Sequence, residues 1–133
     1  MAENNRTLTW HRLYRAVSGV SAVVALVLGI LGSLLTSEPA VRSAHAGLAM
    51  LFVVTALLSA LAAFRFGQVS GVKGGIGHAA GVFVLSLVQY ALGEMHVTMV
   101  HIVLGVLVVL GALSLFVLAA RPPRPAAAPG AQA

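Results

Sequence analysis

Residues 97–120, VTMVHIVLGVLVVLGALSLFVLAA, contain no Asp, Glu, Lys or Arg and only three side chains able to hydrogen-bond, Thr98, His101 and Ser114. An apolar run near the roughly 20 residues needed to cross a hydrocarbon core reads as a transmembrane helix. It shows no period-two alternation of the kind a half-buried strand displays. Three similar runs precede it, at about Leu13–Leu35, Ala44–Phe64 and Ile76–Leu92. The third is the shortest and is interrupted by Gly81 and Gln89. The expected fold is therefore an all-α membrane protein, a four-transmembrane-helix bundle running up-down-up-down over residues 1–120, followed by a disordered cytoplasmic tail over 121–133.

The composition agrees. Of the 133 residues, 59% are hydrophobic and 8% are charged, against roughly 25% charged in a soluble domain. The mean hydropathy is +1.00. A single domain of this size cannot hide so much apolar surface inside itself, so lipid is its solvent. The net charge of +5 does not mark a nucleic-acid protein, because the basic residues stand at the ends of apolar runs and form no patch with interleaved aromatics. There are no cysteines, which excludes disulfides, thiolate metal sites, iron–sulfur clusters and covalently attached haem. Any metal chemistry must use histidine.

Orientation follows from the bias of Lys and Arg toward cytoplasmic flanks. Arg6, Arg12, Arg15, Arg65, Lys73, Arg121 and Arg124 fall on one side, and Arg42 alone among the basic residues falls on the other, with Glu38 and Glu94. Both termini are expected inside. The first run follows arginines as a signal peptide would, but it exceeds the 7–15 residues of a signal-peptide core and reads as an uncleaved span. Trp10 and Tyr14 are placed for an inner aromatic belt. The Ala, Val, Leu and Gly bias, without an organellar targeting segment, suggests a multi-pass protein of a bacterial plasma membrane.

The connections differ. Ser37-Glu38-Pro39 reads as a helix cap followed by an early-helix proline, so the second helix starts before its membrane entry. Gly67 to Gly75 reads as a flexible cytoplasmic loop without the spacing of a phosphate loop. Gly93-Glu94-Met95-His96 is so short that the third and fourth helices must be antiparallel neighbours. The Pro/Ala-rich tail lacks the apolar bulk to pack. Gly19, Gly29, Gly32, Gly47, Gly81, Gly105 and Gly111 are placed to allow close helix approach.

Five histidines in so apolar a chain require an account, because ionisable groups at membrane depth mark functional sites. His45 opens the second span and His101 lies just inside the fourth. These helices run in the same direction and are diagonal partners, so both imidazoles are expected near the outer face at one depth. Two neutral histidines there suit the axial positions of one haem b iron. Ala49 lies one turn inward from His45 and Gly105 one turn inward from His101, leaving room for a flat ring. Arg42 shares the face of His45, where a guanidinium can pair with a propionate. Gln89 is expected to face the interior, bonding across helices or meeting a ring substituent. His11 and His78 form a second, weaker parallel-helix pair at the inner side. His96 and His101 point about 140° apart on a helix and cannot serve one site.

These segments, Ser43-Ala44-His45-Ala46-Gly47, Gln89-Tyr90-Ala91-Leu92-Gly93 and Val100-His101-Ile102-Val103-Leu104-Gly105, resemble one four-helix half of the haem A synthase family. The resemblance implies His45 and His101 as haem ligands on the outer side. Only one bundle is present, and the family's outer-loop acidic residue followed four positions later by His-Arg has no counterpart here, so oxidation of a haem methyl is not implied. The chain is similar, too, to short four-span bacterial membrane proteins of unknown function, which implies a fold and no activity. Two functions remain in view. One is a small b-type cytochrome-like protein for electron transfer or haem handling, without catalysis of its own. The other is a cofactor-free accessory or assembly subunit docked on a larger respiratory or assembly membrane complex.

Overall fold

A computed structural model describes residues 2–34 and 38–122. Among them the regular elements are four helices, α1 (Ala2–Ser33), α2 (Pro39–Ser70), α3 (Gly74–Glu94) and α4 (Thr98–Ala120). Each is long and apolar enough to cross a membrane. The tail beyond Pro122 and the segment 35–37, including Ser37, lie outside the described residues. Glu38 is the N-cap residue of α2 and Pro39 opens the helix, where its missing N–H costs nothing.

Helix α1 packs on α2 and α4, and α3 packs on α2 and α4, while the diagonal pairs α1/α3 and α2/α4 share no backbone contact. This is the cyclic arrangement expected of an up-down bundle. One end carries the N-terminus of α1, the α2–α3 turn and the C-terminus of α4, and is called the basic end. The other end carries the α3–α4 turn, His45 and His101, and is called the histidine end.

The interior is made of small residues. Ser18, Ser21, Ala22 and Ala25 of α1 face Ala56, Ser59, Ala62 and Ala63 of α2, all buried, and Ala79, Val82, Ser86, Ala112, Leu115 and Ala119 complete the layers. The larger side chains, such as Val23, Ile30, Leu61, Val84, Val103 and Leu110, point outward. That inversion of the soluble pattern is what lipid permits, because Leu gains nothing by leaving hydrocarbon, whereas small residues let backbones approach. Buried hydroxyls are satisfied locally, with Ser59 Oγ donating to Thr55 O, and Ser21 and Ser59 Oγ meeting across α1 and α2 at 3.2 Å.

Two boundaries move from the sequence reading. Helices α1 and α2 have 32 residues each, about 48 Å, and overrun a core of about 30 Å. Hydropathy marks membrane depth and not helix ends, so the polar turns 2–12 and 65–70 were invisible to it. The Gly67–Gly75 loop shrinks to three residues. Gly67 is helical and buried, and a Cβ there would stand 2.6 Å from Ile76 Cδ1; its role is close packing against the start of α3. Gly71 ends α2 with φ 74°, its N–H donating to Gly67 O, the left-handed cap that glycine adopts without strain. Of the glycines expected at helix contacts, Gly19 meets Phe116 and Gly111 meets Val82, but Gly47 and Gly81 face open space. Tyr14 is not a belt residue: it is buried and stacked on Phe66, with ring centroids 6.2 Å apart.

Candidate cofactor site at the histidine end

Fully buried positions stop at Ala25 in α1 and Ser86 in α3, and begin only at Phe52 in α2 and Val108 in α4. Full burial is therefore confined to the half of the bundle nearest the basic end, and among the described residues nothing at the histidine end is fully buried. The polar residues of interest sit in the other, more exposed half.

His45 and His101 are each half-buried. Their ring centroids are 6.3 Å apart and their planes inclined by 60°, so two side chains span the diagonal that the backbones do not. His101 Nδ1 lies 3.1 Å from the backbone oxygen of Gln89. A carbonyl only accepts, so Nδ1 carries the proton and Nε2 keeps its lone pair. Gln89 answers by donating from Nε2 to the backbone oxygen of His101 at 2.8 Å. One residue pair thus clasps α3 to α4 twice.

Glycines make this packing feasible. A Cβ on Gly93 would stand 3.1 Å from the His101 ring, one on Gly32 of α1 would stand 3.5 Å from the His45 ring, and one on Gly105 would stand 2.9 Å from Gln89 Nε2. The space at Gly105, which the sequence reading reserved for a flat ring, therefore holds the Gln89 amide. Gly93 escaped that reading, and Gly32 entered it only as a helix-contact glycine, because each is matched to a histidine on a neighbouring helix, a pairing no single-helix periodicity displays. Ala49 is half-buried one turn inward from His45, and Arg42 is exposed at the rim one turn before it.

Two polar atoms in this layer are buried without a hydrogen-bond partner, His45 Nδ1 and Gln89 Oε1. Buried polar atoms are nearly always satisfied, so each orphan asks for a group that would engage it. Among the described residues no third His, Cys, Asp or Glu joins the two histidines.

The other histidines have separate tasks. His78 Nε2 lies 3.0 Å from Gly111 O and 2.8 Å from Ser114 Oγ, and donates to that carbonyl, tying α3 to α4. His11 Nε2 donates to Arg121 O at 3.0 Å and packs on Phe66. Each bridges its own pair of helices. His96 is exposed at the α3–α4 turn with φ 57°. Its N–H bonds Gly93 O and the Val97 N–H bonds Leu92 O, the paired bonds of a Schellman cap with His96 in the position glycine usually fills.

Compared with protein-family models, curated proteins and solved structures, the chain matches none.

Proposed function

We propose that this chain is a small integral membrane haem protein, b-type cytochrome-like, holding one haem b between His45 and His101 for electron transfer or haem handling. The observation that carries this reading is the 6.3 Å separation of the two imidazole centroids across a bundle diagonal. Imidazole nitrogens bind transition metals at about 2.0–2.1 Å, so two rings sharing one metal have centroids about 6 Å apart.

Ligand number favours haem over a bare ion. A tetrahedral zinc site needs at least three protein ligands, whereas iron in a porphyrin brings four nitrogens of its own and needs only axial partners. The two unpartnered buried atoms, His45 Nδ1 and Gln89 Oε1, are consistent with a group seated there. Bound haem supplies one-electron redox chemistry.

The chain's own residues do the positioning. The Gln89 carbonyl holds the Nδ1 proton of His101 and so presents Nε2 as the ligand, the device by which metal-binding histidines are usually oriented. Arg42 sits at the exposed rim, where its guanidinium would pair with a propionate carboxylate. Ala49 keeps the face below His45 free of bulk. Gly105 contributes by accommodating Gln89, not by facing the ring.

In this reading the basic end is cytoplasmic, the histidine end is external, and the protein resides in a bacterial plasma membrane as part of, or in exchange with, a larger respiratory or assembly complex. The test is the visible spectrum of full-length protein purified in mild detergent from haem-replete cells. A Soret band with sharp reduced α and β bands is expected. A featureless spectrum would overturn the haem reading in favour of a cofactor-free accessory subunit.

A further inference from the structure

A cavity lies at the basic end of the molecule, about 420 Å³ in volume and lined by Arg6, Trp10, Arg65, Gln68 and Val69. We infer that it binds the phosphate group of an anionic phospholipid. The inference does not depend on the haem reading, because no residue is shared.

The cavity is built by the parts of α1 and α2 that overrun the apolar spans. Arg65 directly follows Phe64, the last residue of the second apolar run, and Arg6 and Trp10 belong to the polar start of α1. A bilayer enclosing the apolar runs therefore places this cavity at headgroup level. Thr7 Oγ1 shares its one proton between Glu3 O at 3.2 Å in its own helix and Val69 O at 3.4 Å in α2, so the two overhanging helix ends meet here. Leu13, Leu61 and Phe64 below it are exposed and apolar, a surface along which acyl chains can lie.

The chemistry of the lining selects an oxyanion. Neither Arg6 nor Arg65 makes an ion pair among the described residues, so two guanidinium groups converge on one cavity without a carboxylate. The Arg65 Cζ lies 5.4 Å from the centroid of the Trp10 ring, a cation–π distance that holds the guanidinium in place while leaving its N–H edge available. Arginine presents paired donors that match phosphate oxygens bidentately, and the Gln68 amide adds a neutral donor. A volume of this size falls within the roughly 300–1,000 Å³ of small-ligand sites.

Full-length protein in mixed micelles of phosphatidylglycerol and phosphatidylcholine at equal amounts tests this by native mass spectrometry of retained lipid. Wild type should retain phosphatidylglycerol about fivefold or more over phosphatidylcholine, the scale of selectivity a juxtamembrane arginine gives. The double variant Arg6→Gln, Arg65→Gln should lose that preference, Arg6→Lys, Arg65→Lys should keep part of it, and Arg12→Gln, Arg15→Gln should keep nearly all. All four substituted positions, Arg6, Arg12, Arg15 and Arg65, are at exposed side chains, and far-UV circular dichroism checks that each variant is folded. Equal retention of the two lipids by wild type, or equal loss in both glutamine double variants, would overturn the site. Thermal stabilisation by inorganic phosphate alone, without preference for the anionic lipid, would overturn the lipid and assign the cavity to a soluble phosphate compound.

Discussion

The His101 ring and the Gln89 backbone oxygen share a hydrogen bond of 3.1 Å, while the Gln89 amide returns a 2.8 Å bond to the His101 backbone oxygen. This reciprocal clasp fixes the tautomer of one histidine by a carbonyl that no substitution of a side chain removes. It separates the cohesion of α3 and α4 from the orientation of the His101 ring, and the two are testable apart.

Gln89→Leu removes the amide bond and leaves the carbonyl. Interhelical hydrogen bonds in membranes are worth about 0.6–1.7 kcal/mol, so thermal unfolding in detergent should show a loss of that size with any bound chromophore retained. A folded Gln89→Leu protein without chromophore would mean that the amide, not the carbonyl, orients the site.

Gly105→Ala should cost about 1–3 kcal/mol by overpacking, because its Cβ would stand 2.9 Å from Gln89 Nε2. In a Gln89→Ala background the same change should be close to neutral, giving a coupling of comparable size in a double-mutant cycle. Additive effects would contradict the packing described here.

The four helices were legible because a run such as 97–120 has only one stable fate in lipid. Their true ends were less so: residues 2–12 and 65–70 lie beyond the apolar runs, where hydropathy carries no signal, yet they continue α1 and α2 and come together where Thr7 Oγ1 lies 3.4 Å from Val69 O. The pairing of His45 with His101 was legible from helix direction and depth alone. The use of Gly105 was not, since a glycine in sequence reads as space and only the neighbouring helix decides what fills it. Tyr14 was misread for a related reason: position predicted the interface, while Phe66 and Gly75 provide an interior slot.

His96→Gly should stabilise the α3–α4 turn. A non-glycine residue held at positive φ costs on the order of 1 kcal/mol, and His96, at φ 57°, is exposed and has no side-chain partner among the described residues. A rise of that size in unfolding free energy is expected, with the chromophore unchanged. A fall would show that the imidazole has a role the geometry does not display.

Topology follows from charge. Reporter fusions between 71 and 73 and at the C-terminus should behave as cytoplasmic, and fusions near 36 and 95 as external, because six of the seven Lys and Arg among the described residues flank the basic end. An external C-terminus would reverse the orientation and move the histidine end to the cytoplasm.

The central claim is tested most directly by histidine substitution in haem-replete cells, read as low-spin haem per folded protein. His45→Ala and His101→Ala should each abolish the low-spin spectrum, while His11→Ala, His78→Ala and His96→Ala should retain it, since only the first two rings face each other across the diagonal at 6.3 Å. Arg42→Ala should weaken binding without eliminating it. An unchanged low-spin spectrum in the double variant His45→Ala, His101→Ala would contradict the account.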